Sequence, residues 1–252
     1  MKKKILTFLL FPALCFSAPS PVLTLTETNG VSITGKIISH STQTGSTKIQ
    51  TEKSISRRPI SAFTPESQEK ISHWLADKNF RLKSKLTASF RATHAGSFSN
   101  IVGTITDSRT KTTREDTIGT KELSFCSYKI NLTNKASTPF ENLTLDYRIF
   151  YTQRWSKDFT GKYQLAGSTN CNFLSAGGTL EFKTNPFLSA IYYKSAPRIR
   201  WTGKPRSFSS SIEGIWLCVR KKDVTGRWIE QEIKYGEVPS PHNRNDYQKL
   251  YN

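Results

Sequence analysis

The strongest rhythm in the chain lies between positions 143 and 152. Leu143, Leu145, Tyr147, Ile149 and Tyr151 alternate there with Thr144, Asp146, Arg148 and Thr152. A period of two sends successive side chains to opposite faces of a strand, so one face is apolar and the other polar. Cys126, Tyr128, Ile130 and Leu132 repeat the pattern against Ser127, Lys129 and Asn131. A turn at 134–139 separates the two strands. Further short strands are predicted at 86–93, 163–165, 179–183 and 214–220, the last joined through a turn at 223–226 to a strand at 227–234. Residues 106–119 are polar and charged and read as a mobile loop. Beyond 236 the chain has Pro239 and Pro241 but no apolar rhythm, so 241–252 is expected to be a flexible tail. Short strands with turn residues between them specify a β-sandwich over 81–240.

The first part of the chain has its own apolar set. Leu23 and Leu25 alternate with threonines, and Asn29-Gly30 follows, a pair suited to φ > 0 in a two-residue hairpin turn. Ile33, Ile37 and Ile38 mark a second strand, a turn is expected at 42–45, and shorter strands at 48–50 and 58–61. Thr64-Pro65-Glu66 opens a helix. Thr64 suits the cap, Pro65 the first helical position, and Glu66 the positive end of the helix dipole. Ile71, Trp74 and Leu75 stand at helical spacing. Residues 22–80 are thus expected to form a small β-barrel with a C-terminal helix, folding as a domain of its own. The fold class predicted for the whole chain is all-β.

Two resemblances sharpen this expectation. Asn29-Gly30, the strand Ile33-Thr34-Gly35-Lys36-Ile37-Ile38-Ser39, the basic strand at 48–51 and the start Phe63-Thr64-Pro65-Glu66-Ser67-Gln68 resemble the first Sla homology domain, an SH3-like barrel. The first strand departs from that family, with Leu23 and Leu25 where an aromatic is usual. The family recognises Asn-Pro-Phe-type peptides in eukaryotic adaptors, so the resemblance implies protein contact without naming a ligand here. The chain's own Asn185-Pro186-Phe187 has Ser189 where such a peptide carries an acid, and reads as a turn. Residues 128–151, with Leu174-Ser175-Ala176-Gly177-Gly178-Thr179-Leu180-Glu181-Phe182, resemble bacterial immunoglobulin-like adhesion-related domains. That resemblance implies an immunoglobulin-like β-sandwich, and speaks to fold more than to function.

Residues 1–18 add a location. Lys2, Lys3 and Lys4 precede an apolar run that ends in Ser17 and Ala18, the arrangement of a secretory signal peptide. The run is shorter than the roughly 20 apolar residues a spanning helix needs, and no integral membrane segment is predicted elsewhere. The protein is expected to be exported, to the periplasm or the cell surface. With 37 Lys and Arg against 19 Asp and Glu, the net charge is +18, lowered by three when the leader lysines are removed. Such a balance draws a protein to anionic polymers, or serves solubility alone. Cys126, Cys171 and Cys218 then remain, without CxxC spacing or nearby histidines, so no metal site is expected. An exporting compartment permits one disulfide. Strand phase favours Cys126–Cys171, with Cys126–Cys218 as the rival, because Leu217 and Val219 take the inward phase around Cys218.

Catalytic signatures are lacking. There is no Gly-x-Ser-x-Gly, no His-Glu-x-x-His and no phosphate-binding glycine loop, and His40, His73, His94 and His242 lie apart. The expected reading is a non-enzymatic protein without a small-molecule cofactor, with an unrecognised hydrolase as a remote alternative. The main functional lead is acid-free: between Phe182 and Ile212 stand Lys183, Lys194, Arg198, Arg200, Lys204 and Arg206, interleaved with Tyr192, Tyr193, Trp201 and Phe208. Pro197, Gly203 and Pro205 place the segment 194–206 in a loop. Lys194, Arg198, Arg200, Trp201, Lys204 and Arg206 are the candidate ligand-binding residues, since guanidinium and ammonium groups pair with anions and aromatic faces stack. A solvated connection between strands is the other reading of that loop. The function expected overall is binding or scaffolding at the bacterial envelope. The partner is an envelope protein or, alternatively, an anionic polymer, polysaccharide or nucleic acid, held by the loop.

Overall fold

The computed structural model describes residues 20–107, 109–154, 160–197, 199, 207–241 and 243–250, and the side chains of these except at 248–250. The expected signal peptide at 1–18 lies outside them. The fold is all-β, with one long helix among the described residues, and the chain divides into two compact units, Met1–Ile71 and Ser72–Asn252. No described helix is long and apolar enough to cross a membrane.

In the first unit, β1 (Val22–Thr26), β2 (Ser32–Ser41), β3 (Ser46–Gln50) and β4 (Ile55–Pro59) form an antiparallel sheet in chain order. Leu25, Ile37, Ile49 and Phe63 are its buried centre. Buried Thr47 is satisfied by His40, Nδ1 to Oγ1 at 2.9 Å. Asn29-Gly30 sits in a turn as expected, with Gly30 at φ +87°, a conformation that Cβ disfavours. The connection is longer than two residues, because Thr26 and Ser32 are the last paired positions. The helix α1 (Pro65–Arg81) begins against this sheet. Thr64 N–H donates to Thr26 O, and Thr26 N–H donates to Ser67 Oγ, at 2.9 and 2.8 Å.

The second unit takes the rest of α1 and nine strands: β5 (Leu86–Thr106), β6 (Thr113–Asn134), β7 (Phe140–Arg154), β8 (Thr160–Leu174), β9 (Thr179–Lys183), β10 (Phe187–Ser195), β11 (Phe208–Lys222), β12 (Trp228–Gly236) and β13 (Gln248–Leu250). The hydrogen-bonded order is β13-β8-β7-β11-β10-β6-β5, with β12 also on β11 and β9 also on β6. The long strands β6 and β11 change neighbours along their length. β6 pairs β10 near Cys126 and β9 beyond Lys129, while β11 pairs β10 near Phe208 and β12 beyond Gly214. The sheet thereby parts into two layers, β8-β7-β11-β12 and β9-β6-β5. One apolar cluster fills the space between them, from Tyr128, Ile130 and Leu132 to Leu145, Ile149, Leu217 and Val219. These are the inward positions of the alternation read from the sequence.

Asn134 holds the end of β6. It is fully buried, its amide donates to the carbonyls of Thr138, Leu174 and Ser175, and its oxygen accepts from Ala136 N–H. The end of α1 is held as firmly. Phe80 packs edge-on to Phe140, and Asp77 receives Lys221 Nζ at 2.6 Å and Val224 N–H at 2.7 Å. Division of the chain inside the helix, after Ile71, follows from these contacts.

Several expectations need correction. Residues 106–119, read as a mobile loop, are largely strand, since β5 and β6 pair as far as Thr106↔Thr113. Neither face of that ribbon is covered, so no apolar alternation marked it. The described part of 241–252, read as a flexible tail, is docked: Tyr247 is buried against Phe150, its hydroxyl donates to Glu213, and β13 adds to β8 in parallel. A burial signal carried by one aromatic has no periodicity to betray it. Strand β10 arises inside the basic–aromatic stretch. Asn185 and Pro186, read with Phe187 as a turn, form an irregular connection into β10, and Phe187, the first residue of that strand, is buried and stacks on Tyr151 at 4.4 Å.

Cys126, Cys171 and Cys218 are three separate buried thiols, not the expected Cys126–Cys171 disulfide. Cys126 and Cys171 do face the core, and Cys218 faces away from it, as strand phase required. β6 and β8 belong to different layers and are not paired with each other.

Candidate functional site

The polar phase of β7, β8, β11 and β12 builds the most chemically distinctive surface. Sheet register aligns it in rows. Trp216 of β11 lies beside Arg148 of β7 and Lys234 of β12; Cys218 lies beside Asp146 and Glu232; Arg220 lies beside Thr144 and Glu230. Lys222 lies beside Trp228. Because these positions all belong to the outward phase, side chains far apart in the chain meet on one face.

Two tryptophans each carry two cations there. The guanidinium of Arg148 stands 5.6 Å from the Trp216 ring centre, and that of Arg244, delivered by the docked C-terminal segment, stands at 4.9 Å. Arg220 and Lys222 stand 5.7 and 5.5 Å from the Trp228 ring. At such distances the ring quadrupole attracts the cation and holds it near the ring. Between the tryptophans lies a depression of about 550 Å³ whose walls include Arg148, Ser168, Trp216, Cys218, Arg220 and Glu230. Gly167, paired with Tyr147, leaves room on the inward face for the Tyr147 ring, which a Cβ there would strike.

Charge on this face is only partly compensated. Arg220 pairs with Asp146 at 2.5 Å and Lys234 with Glu232 at 3.4 Å. Arg148, Arg244 and Lys222 have no carboxylate within ion-pair distance among the described residues. Five buried side-chain polar atoms of the described residues lack a hydrogen-bond partner, and three of them cluster here: Trp216 Nε1, Arg220 Nε and Arg244 Nε. All three are donors without lone pairs to offer, so only an acceptor can satisfy them. A buried donor left unpaired costs about 1–3 kcal/mol. The Cys218 thiol, facing the same depression, is held in its neutral form. Burial first, then the nearby Glu230 carboxylate, push its pKa up from 9.0 to about 11, against an opposing effect of Arg220.

Two other cavities among the described residues lack these features. The depression in the first unit, about 610 Å³ beside Thr34, Lys36, Gln50 and Lys53, contains no buried polar atom without a partner. A cleft of about 470 Å³ beside His73 and Trp228 is occupied on one side by the closed Asp77–Lys221 pair. No cluster of His, Cys, Asp and Glu able to hold a metal exists among the described residues.

Of the residues picked out from sequence, Lys194 lies exposed near the end of β10, opposite Thr120, away from this depression. Arg198, Arg200, Trp201, Lys204 and Arg206 lie outside the described residues. The outward residues Arg148, Trp216, Arg220 and Arg244 were missed as a group. The available signal was Arg148 and Arg220 in the polar phase of strongly periodic strands, with Trp216 at an outward position where a polar residue is usual.

No protein family matches this chain, and no curated protein does. Among solved structures, one chain titled "X-ray structure of Northeast Structural Genomics Consortium target SoR45" is 8% identical. The alignment covers 64% of this chain and 92% of that one at a TM-score of 0.23, a likeness too slight to bear on fold or function.

Proposed function

We propose that this is an exported binding protein that recognises an anionic ligand on the outer face of β7, β8, β11 and β12. The observation that supports it is the set of three buried donors, Trp216 Nε1, Arg220 Nε and Arg244 Nε, left without acceptors on the face where Arg148 borders the depression and Arg244 stands over the Trp216 ring. Carboxylate, sulfate or phosphate groups are acceptor-only and fit such a set, and guanidinium forks bind them in two-point geometry. Tryptophan-held guanidiniums are already oriented, so less side-chain freedom is lost when the ligand arrives. The net charge, +18 for the whole chain and lower by the three leader lysines after export, adds long-range attraction for an anionic polymer. Export rests on the N-terminal leader pattern, and the envelope is where polymers of this kind are met from outside the cytoplasm.

Titration with size-fractionated heparin, followed by tryptophan fluorescence, tests this reading. Binding is expected at low salt and is expected to weaken steeply as salt rises. Replacement of Trp216 by Phe keeps the ring's hydrophobic bulk and removes the N–H donor. That variant should fold normally and bind more weakly. Equal binding by the variant and the parent protein would put the ligand elsewhere, and the loop variant Arg198→Ser/Arg200→Ser/Lys204→Ser would then be the one to lose binding.

A further inference from the structure

Negative charge enters the depression on β7, β8, β11 and β12 as well as positive. Along β11 the outward row at Trp216 is cationic, with Arg148 on one side and Lys234 on the other. The next outward row reverses sign, because Cys218 stands between Asp146 and Glu232. Asp146 is held by Arg220, and Glu232 by Lys234. Glu230, exposed and lining the same depression, has no cation within ion-pair distance among the described residues. Its carboxylate accepts only the Cys218 thiol, at 3.9 Å. The depression therefore presents a guanidinium without a carboxylate, Arg148, and a carboxylate without a cation, Glu230, with the Ser168 hydroxyl in its wall. Such a surface complements a ligand that is anionic at one point and neutral, with hydrogen-bond donors, a short way further on.

We infer that the ligand is an acidic polysaccharide whose anionic groups are separated by neutral, hydroxyl-bearing sugars. The inference rests on the anion site proposed above and chooses among anionic polymers. An ionised carboxylate accepts and never donates, so Glu230 needs a donor from the ligand, and a sugar hydroxyl supplies one. A nucleic acid strand is a poorer match on two counts. Outward rows lie about 7 Å apart along β11, whereas phosphates follow one another every ~3.4 Å along a DNA strand, so phosphate falls on the acidic row as well as on the cationic one. Bases are also held by stacking on aromatic faces, and the rings of Trp216 and Trp228 already carry two cations each.

The test compares hyaluronan oligosaccharides, which carry a carboxylate on alternate sugars, with single-stranded DNA of matched length. Each is titrated against the parent protein and Glu230→Gln. Glu230 is exposed, so the variant should melt as the parent does. Salt is held at about 0.15 M, where attraction by net charge is screened beyond about 8 Å. Hyaluronan is expected to bind the parent, and Glu230→Gln, which loses a charged acceptor, should weaken it about three- to tenfold. The same change removes a repelling charge from the path of DNA, so DNA binding should stay level or tighten. DNA that does not bind at all is the limiting form of that result. An equal response of both polymers to Glu230→Gln overturns the polysaccharide and leaves the anion site standing. So does hyaluronan left unbound by a parent protein that binds heparin through Trp216. Heparin binding that is equal for Trp216→Phe and the parent removes the anion site itself, and the polysaccharide with it.

Discussion

The two faces of β11 use the same backbone for opposite purposes. Inward, Ile215, Leu217 and Val219 are fully buried in the core; outward, Trp216, Cys218 and Arg220 line the proposed binding face. The inward face of β11 has one exception and neighbouring β7 has another, and each is compensated from a distant part of the chain. Lys221 continues the inward phase and is buried, but Asp77 of α1 meets it at 2.6 Å. Phe150 of β7 is fully buried yet stands outside the core cluster, under the ring of Tyr247 from the docked C-terminal segment. The comparison teaches that periodicity assigns the face, and tertiary contact then decides whether an out-of-place residue is tolerated. The orphaned donors at Trp216, Arg220 and Arg244 have no such compensation, which is why they point to a ligand.

The largest expected effect comes from breaking the inward exception. Asp77→Ala leaves the Lys221 ammonium buried and unpaired, and should cost about 3–5 kcal/mol in chemical denaturation. Changing both residues to apolar ones of similar size should recover most of that loss. Leu217→Ala, on the same strand, opens a cavity in the core and should cost about 2–5 kcal/mol while leaving heparin binding in place. The outward face should respond in the opposite way. Arg148→Gln with Arg244→Gln removes two cation–ring contacts at half-exposed sites, about 0.5–1 kcal/mol each, and should lower Tm only slightly.

An effect confined to alkaline pH is expected at Cys218. Its thiol ionises near 11 in the folded protein and near 9 when unfolded. Between those values the unfolded chain has released the proton and the folded chain has not. Stability contributed by this group is therefore present below pH 9 and is lost as pH rises toward 11. Alkylation of Cys218 should accordingly stay slow through pH 9 in the native state, and a fast reaction at pH 8 would mean that the depression is open to reagent at a reactive thiolate.

Much of the fold was legible because single residues carried local instructions. The alternation around Tyr147 and around Ile130 gave the inward faces of β7 and β6, Gly30 marked its turn, and Asp223 to Gly226 marked the hairpin between β11 and β12. The far halves of β5 and β6 were not legible, since a ribbon exposed on both faces needs no apolar period. Docking of Tyr247 was invisible for a different reason: one aromatic after a proline-containing stretch looks the same whether it is anchored or free. The binding face was the least legible element. Arg148, Trp216 and Arg244 are joined only by the pairing of β7 with β11 and by the return of the C-terminal segment, and a sequence states neither. The basic run at 194–206 is the more conspicuous in sequence, because its charges are adjacent in the chain.

The most direct measurement of the central claim is the salt dependence of heparin binding for the Arg148→Gln/Arg244→Gln protein beside the parent, with Tm recorded for both. Hydrogen bonds to charged groups contribute about 1.5–3 kcal/mol, so affinity should fall roughly tenfold or more per guanidinium. Its fall with rising salt should also become shallower, because fewer ions are displaced on binding. Unchanged affinity and an unchanged salt dependence, at an unchanged Tm, would contradict the assignment of the outer face of β7, β8, β11 and β12 as the anion site.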